Sequence, residues 1–288
     1  MKQLTGSGSA PRGRQGYEFK GGASMSYKVN NFVSGNGNRN IDVISAKGCF
    51  AVAEYDHDMS VTPMTAMAAY FASEMDVHKR QLVVDLSQAR DGATLQAGAM
   101  QWMLGHVEMT SGIKGAGDLV GKMLKSKVTG ETVSKPEYKG NGIVVCEPTY
   151  KHLIIGDVSE WNGAVVLEDG MFLACEGCVK QSIAARRTLT SAVAGGEGLF
   201  NLRLSGKSGL FVAESRVPME DLIEIEMRDD VLKIDGNYAV AWSDTLEFTV
   251  ERSGKTLMGS AVSGEGLVNV YRGTGKVWME PLAKMPDI

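Results

Sequence analysis

Apolar residues recur at every second position over much of this chain. The stretch "LIEIEM", from Leu222 to Met227, alternates apolar and acidic residues, and "NYAVAW" and "LEFTVE" behave similarly. A period of two is typical of a β-strand with one face in water. The stretches "GIVVC" and "AVVL" are continuously apolar and predict strands that are buried on both faces. Glycines in "DGM", "DGN" and "SGK" mark turns. The pattern therefore predicts an all-β protein with short connections.

One segment follows the helical period instead. Residues 62–80, "TPMTAMAAYFASEMDVHKR", predict a helix with Thr62 as N-cap and Pro63 at the first helical position. The residues that share one helical face are Met64, Met67, Ala68, Phe71 and Met75. Because a one-sided apolar helix usually faces its own domain, we expect this stripe to pack in the core rather than to form a partner groove.

The chain also repeats itself. The segment "GEGLFNLRLSG" begins at Gly196, "GEGLVNVYRG" begins at Gly264, and a weaker copy, "GETVSKPEYKG", begins at Gly130. In each case, apolar strands around a turn glycine precede the segment and a short strand follows it. Recurrence of these features in the same order predicts three β-units in a pseudo-threefold arrangement of sandwich or barrel units.

These repeats divide the chain. We expect a disordered or cloning-derived tail over residues 1–24, strands and the amphipathic helix over 25–80, and β-repeats over 81–150, 151–218 and 219–288. Residues 81–288 are expected to form one compact unit. Within the first repeat, "DLVGKMLKSK" from Asp118 to Lys127 predicts a short inserted helix. The stretch "TLTSAV" near Thr188 takes the same place in the second repeat, as a helical turn or a strand.

Charge and composition narrow the function classes. The 288 residues carry a net charge of −4 with an isoelectric point of about 5.7. This balance argues against a nucleic-acid partner, because phosphate binding draws on basic residues. No run of about 18 apolar residues predicts a membrane-spanning helix, and the first residues lack a secretory apolar stretch. We therefore expect a cytoplasmic protein whose four cysteines are free thiols.

The segment "CEGC", Cys175 to Cys178, is one candidate for chemistry. Its spacing is that of half a zinc site or of a redox dithiol. Cys49 and Cys146 are isolated, and the histidines are scattered. The segment aligns with "AVAWSD" in the third repeat, a strand that leads into a turn. We predict a core or turn role, with metal or redox chemistry as the alternative.

Acidic residues surround a histidine in "AEYDHDMS". Glu54, Asp56, His57 and Asp58 have side chains that bind metals or transfer protons. In a strand, however, Asp56 and Asp58 share one face while His57 points to the other. We predict a solvated strand end. The chain has no nucleophile elbow and no phosphate loop of the GxxxxGK[ST] type, so we assign no catalytic, cofactor-binding or metal-binding residue and no cofactor.

A basic patch is a further candidate, formed by Lys122, Lys125, Lys127, Arg186 and Arg187. With Leu119, Met123 and Leu124, the lysines would give an amphipathic helix suited to a membrane surface. A helix that covers one end of a barrel is the favoured interpretation, since interfacial helices carry larger apolar faces. Peripheral membrane association stays open. RNA binding is not favoured, because basic and aromatic residues are not interleaved.

Several segments together resemble one protein family. They are "GAMQWMLGHVEMTSGI", "KVTGE", "GEGLFNLRLSGKSGLFV", "AVAWSDTLEFTVE" and "SGEGLVNVYRGTGKVWMEP". Over residues 81–281 the chain is similar to the altered-inheritance-of-mitochondria family, whose members are mostly bacterial. The resemblance implies a β-rich fold like that of the tryptophan RNA-binding attenuation protein. It also implies a poorly defined biochemical role, a mitochondrial location if the chain is eukaryotic, and no catalytic residues to transfer.

Three functions follow as hypotheses. The first is a non-enzymatic, self-associating structural or scaffold protein, a homo-oligomer with an unknown protein partner. The second is a ligand- or RNA-binding module, by analogy of fold alone. The third is thiol or metal chemistry at Cys175 and Cys178. We rank them in this order.

The glycines of the repeated segment give the first prediction. Strand periodicity in "LFNLRL", which follows Gly198, argues against a phosphate loop. We expect Gly196, Gly198, Gly264 and Gly266 to serve turns or bulges, with Glu197 and Glu265 bonded to nearby backbone or basic groups. If φ is positive there, Gly198→Ala or Gly266→Ala lowers the free energy of unfolding by ~1 kcal/mol or more. Denaturant unfolding measures this, and unchanged stability in both variants would contradict it.

Overall fold

Within the residues that the structure describes, the fold is built from two antiparallel β-sheets and one α-helix. The computed structural model describes residues 27–34, 37–110, 135–185, 200–236, 238–252 and 267–282. The predicted all-β fold class is confirmed. The threefold repetition and the division at residues 24, 80, 150 and 218 stay predictions. No helix in the described ranges is long and apolar enough to span a membrane.

Sixteen strands lie within the described residues. In chain order they are β1 Ile41–Lys47, β2 Phe50–Tyr55, β3 Arg80–Asp85, β4 Ala93–Leu95, β5 Met100–Thr110, β6 Glu137–Cys146, β7 His152–Asp157, β8 Ala164–Leu167, β9 Phe172–Glu176, β10 Lys180–Ala185, β11 Phe200–Ser205, β12 Leu210–Ser215, β13 Ile223–Asp235, β14 Ala239–Ser243, β15 Glu247–Arg252 and β16 Leu267–Met279. Sheet A runs β1-β2-β3-β6-β4-β9-β12-β7, with β5 on the other side of β6. Sheet B runs β10-β11-β8-β14-β16-β13, with β15 paired to β16.

Sheet A curls around its own core. Backbone bonds between Arg80 and Thr149, with N–O distances of 2.7 and 2.8 Å, bring the chain that leads into β7 beside β3. The residues that fill the inside of the curl come from alternate positions of its strands, among them Phe50, Val52, Leu82, Val84, Val144, Leu210 and Val212. Their burial removes large apolar side chains from water, which is the main favourable term in folding.

Sheet B packs against the outer face of sheet A. From β9 and β12, Phe172, Cys175 and Phe211 meet Leu167 and other residues of sheet B in one buried cluster. The rings of Trp161 and Trp278 lie edge to face in this cluster, with centroids 4.6 Å apart. Strands β9 and β12 are therefore covered on both faces. Neighbouring residues of β8, Val165 and Val166, also lie in different buried clusters, and so do Val144 and Val145 of β6. Both strands are therefore covered on both faces, which explains why "AVVL" and "GIVVC" are continuously apolar, as predicted.

The helix differs from its prediction. Helix α1 spans Ala66–Glu74 with Thr65 as N-cap, so the predicted range 62–80, with Thr62 as N-cap and Pro63 at the first helical position, was wrong. Before α1, the carbonyl of Thr62 accepts bonds from the amides of Thr65 and Ala66 and forms a turn instead. After α1, Asp76 adopts a left-handed backbone with φ of 58°. This conformation ends the helix, and the chain then extends into β3.

A buried carboxylate joins three segments of sheet A. Glu176, at the end of β9, is almost completely buried. Its oxygens accept bonds from the Arg90 guanidinium, with Nη2–Oε2 at 2.7 Å, and from the backbone amides of Arg90 and Leu210 at 3.1 and 2.9 Å. The ion therefore ties β9 to the loop before β4 and to the start of β12.

Two further buried glutamates play similar parts. Glu280, just after β16, accepts bonds from the guanidinium and the backbone amide of Arg216, which follows β12. This contact links the ends of the two sheets. Glu54 in β2 pairs with Arg80 in β3 at 2.7 Å, and both side chains are buried. Each carboxylate is satisfied by charged or backbone donors, as a buried ion must be.

The Glu176 contacts predict a large stability effect. Glu176→Gln removes the charge but keeps the shape, so we expect the free energy of unfolding to fall by about 3 kcal/mol. The matched control is Asp91→Asn, since Asp91 forms an exposed pair with Lys139 at 3.1 Å. This exposed pair contributes only ~0–1 kcal/mol. Urea denaturation measures the free energy of unfolding of both variants. Similar decreases in the two would show that the Glu176 carboxylate contributes no more to stability than an exposed ion pair.

Candidate interaction surface

The apolar stripe of α1 faces solvent. Met64, Met67, Phe71 and Met75 are exposed to 91, 71, 59 and 74%, and no residue of α1 is buried. The predicted core packing of this stripe was therefore wrong. The helix instead turns its small residues toward the protein, where Ala69, Ala72 and Ser73 are half-buried. Small side chains allow the helix to lie close to the body, which leaves the large side chains outside.

Three contacts hold α1 at its base. The Lys79 ammonium lies 2.6 Å from the Asp58 carboxylate, so the two ends of the connection between β2 and β3 are joined. The hydroxyl of Ser73 donates to the Asp56 carbonyl at 3.0 Å. The amide of Tyr55 donates to the Lys79 carbonyl at 2.9 Å. These bonds fix the position of α1 without burying its apolar side chains.

The ion pair at this base stays charged over the physiological pH range. The hydrogen bond from Lys79 lowers the pKa of Asp58 to about 2, and the same bond raises the pKa of Lys79. For a carboxylate with a lowered pKa, the stabilisation is present above the ordinary value near 4 and is lost as pH falls toward 2. The Asp58–Lys79 ion pair at the base of α1 therefore persists except in strong acid.

A rigid polar platform lies next to this base. Arg80, buried and paired with Glu54, also donates from Nη1 to the carbonyls of His78 and Tyr150 at 3.2 and 3.4 Å. The side chain of His78 lies 3.5 Å from Asp76. Among the described residues, the Arg80 Nε atom is one of three buried side-chain polar atoms without a hydrogen-bond partner. The chain that follows α1 is thus tied to β2 and to the segment before β7.

A further apolar side chain, that of Tyr70, extends the stripe into a patch. We call the patch the α1 surface, and it consists of Met64, Met67, Tyr70, Phe71 and Met75, all exposed. The rings of Tyr70 and Phe71 meet edge to face at 5.6 Å. If a full side chain presents ~200 Å², their exposed area is on the order of 700 Å². The largest apolar patch of a typical monomer is roughly 300–600 Å² and often functional.

The acidic residues near His57 do not form one site. Glu54 is buried against Arg80, Asp58 pairs with Lys79, and Asp56 lies 2.9 Å from the exposed His57 ring. The predicted solvated strand end is confirmed for Asp56 and His57. Within the described residues, no group of three or more His, Cys, Asp or Glu side chains is placed to hold a metal ion.

The "CEGC" segment occupies the end of β9 and the turn after it, as predicted. Cys175 is buried in the strand, and Cys178 is half-buried in the turn. Burial raises the pKa of the Cys175 thiol to about 12 and also raises the pKa of Cys178. Gly177 lies against the loop before β4, where a Cβ would stand 1.9 Å from the Asp91 carbonyl oxygen. The geometry favours a structural role for the segment.

Sequence reasoning overlooked the glutamate of this segment. Glu176 lies between Cys175 and Cys178, and the spacing of these cysteines suggested zinc binding or redox chemistry instead. Its signal was an acidic residue at the end of an apolar strand, "FLACE", where a buried carboxylate requires a cationic or backbone partner.

Other predicted elements lie outside the described residues. They are the basic residues Lys122, Lys125, Lys127, Arg186 and Arg187, the helix over 118–127, the stretch at Thr188, and the repeat residues Gly130, Gly196, Glu197, Gly198, Gly264, Glu265 and Gly266. The strand predicted after Gly198 is present as β11.

The fold and the α1 surface define a class of protein: two packed β-sheets that present an apolar helix. Residues 74–282 match the family described as mitochondrial biogenesis AIM24. This chain belongs to that family, as the resemblance predicted. The match begins at the last residue of α1, so most of the α1 surface precedes it.

Two relatives come from Streptococcus pyogenes. An uncharacterized protein of the serotype M6 strain is 27% identical over 195 residues, which cover 65% of this chain and 76% of the relative. A crystal structure of an S. pyogenes protein has a TM-score of 0.52 and 25% identity, and the match covers 72% of this chain and 89% of that protein.

The buried thiols predict low reactivity. In native protein at pH 7.5, we expect iodoacetamide to leave Cys175 unlabelled and to modify Cys178 slowly, because burial raises both thiol pKa values. Labelling of Cys178 should accelerate as pH rises past the ordinary cysteine value of about 8.5. Mass spectrometry of native protein, with urea-unfolded protein as the control, measures the rates. Rapid labelling of both thiols at neutral pH would support redox or metal chemistry instead.

Proposed function

We propose that this protein is a non-enzymatic structural or scaffold protein that binds other protein chains through the α1 surface. The outward orientation of the α1 stripe carries this proposal. A nine-residue helix is marginal in water by itself, and most helix stability in proteins comes from packing of the apolar face. Here the apolar face has no packing within the described residues, so a partner that covers it would supply the missing stabilisation.

Family membership is compatible with a non-enzymatic role and does not define the partner. The family description refers to mitochondrial biogenesis, which supports a mitochondrial setting if the chain is eukaryotic. For a bacterial chain, we propose a cytoplasmic setting. The α1 surface lies mostly before the matched residues. We therefore assign partner binding to the segment between β2 and β3, and a supporting role to the two sheets.

Site-specific photo-crosslinking in cells tests the proposal. Phe71 is replaced by p-benzoylphenylalanine, which keeps an aromatic group at the centre of the α1 surface. We expect discrete crosslinked protein adducts. The matched control places the same group at Val231 in β13, which is 49% exposed and lies in sheet B. Because binding depends on the stripe, a second change, Met67→Asp, should remove the Phe71 adducts.

Other outcomes would overturn the proposed function. They are the absence of protein adducts at Phe71, equal adducts at Val231, and adducts at Phe71 that persist in the Met67→Asp variant. The substitutions lie on a helix with no buried residue, so loss of fold does not explain a negative result. Circular dichroism of each variant verifies this point.

A further inference from the structure

We propose that the partner of the α1 surface is the same surface of a second copy of this chain, with the two α1 helices antiparallel across a twofold axis. The inference rests on the proposed function and names its partner. Three properties of the α1 surface support it: its charges, its pattern of large and small residues, and its area.

The charges of α1 favour an antiparallel copy. Its N-cap, Thr65, makes no side-chain cap bond, and its first turn holds no acidic residue. At the other end, Glu74 lies in the last turn, which holds no basic residue. A helix prefers the opposite arrangement, with negative charge at its N-terminus and positive charge at its C-terminus. An antiparallel copy places each Glu74 beside the N-terminus of the other helix. The negative charge of Glu74 then interacts favourably with the positive end of that helix dipole.

The stripe also has a self-complementary shape. Large exposed side chains at Met67, Phe71 and Met75 flank the small side chain of Ala68 on one face of α1, and Met64 lies in the turn directly before the helix. In an antiparallel pair centred between Met67 and Phe71, Met64 lies opposite Met75 and Phe71 lies opposite Met67 and Ala68. The large residues of each helix can then enter the gap at Ala68 of the other, as in ridges-into-grooves packing.

The area fits a protein interface. The exposed area of the α1 surface is on the order of 700 Å², close to the roughly 800 Å² that a stable interface buries on each partner. A twofold contact uses the same patch on both copies, so one surface of this size is sufficient.

Two other occupants fit less well. Residues 59–77 contain no lysine or arginine, and they include Glu74 and Asp76, so an anionic membrane surface would repel this segment. Residues 1–26 of the chain contain six glycines but only five large apolar residues, namely Met1, Leu4, Tyr17, Phe19 and Met25. Such a composition offers little apolar area to cover the surface.

Sedimentation equilibrium of the full chain tests the inference. We expect a dimer at micromolar concentration and a monomer for the Met67→Asp, Phe71→Asp double variant. The control Ile183→Asp, at an exposed position in β10, should remain a dimer. A monomeric wild type would overturn the inference, and so would a double variant that stays dimeric. If the wild type is monomeric while Phe71 still gives crosslinks to other proteins, the proposed function survives and only the second-copy partner is wrong.

Helix orientation has two tests of its own. When the Met64→Cys and Met75→Cys variants are mixed under oxidising conditions, the disulfide between the two variants should form faster than the homodisulfide of either variant alone. Faster homodisulfides would indicate a parallel pair and overturn the inference. Glu74→Lys should raise the dimer dissociation constant by roughly tenfold, because each lysine would lie at the positive end of the other helix. In an isolated helix the same change is favourable, so an unchanged or lowered constant would also overturn the antiparallel arrangement.

Discussion

The buried carboxylate of Glu176 makes the hydrogen bonds on which the rest of the structure depends, because they join strands that contribute to the core inside sheet A and to the core between the sheets. A buried charge is tolerated only when donors surround it, and here the donors come from Arg90 and from the start of β12. Strand β12 sends alternate side chains into the curl of sheet A and into the cluster between the sheets, and β9 also contributes residues to both. Because Glu176 joins the end of β9 to the start of β12, it helps to fix the positions of the side chains that these strands contribute to both clusters.

This rigid body can hold a helix that contributes little to its stability. The Glu54–Arg80 pair and the Asp58–Lys79 pair close the connection between β2 and β3. The connection therefore keeps α1 in place through its small residues and its polar base. Large apolar residues on α1 have no role in the described core, which leaves them available for a partner. In the proposed function, stability and partner binding are thus carried by different residues of the same chain.

Much of the fold could be predicted, because strand periodicity and turn glycines are local signals. The runs "GIVVC" and "AVVL" predicted doubly buried strands, and "CEGC" predicted a strand that leads into a turn. The candidate surface was predicted only in part. The spacing of Met64, Met67, Phe71 and Met75 defines a stripe, but spacing is the same whether the stripe faces the core or solvent. The helix bounds were also shifted, because Thr62 forms a turn and Asp76 ends the helix.

The sequence by itself determined the all-β class, the family and the presence of one amphipathic helix, since each depends on patterns over neighbouring residues. Only the tertiary structure decided which face of that helix is outside and which residue of "CEGC" matters for stability. Both depend on partners far away in the chain. Glu176 meets Arg90, 86 residues away, and α1 is oriented by the way β2 and β3 pair within sheet A. Long-range contacts of this kind leave no periodic signal in the sequence.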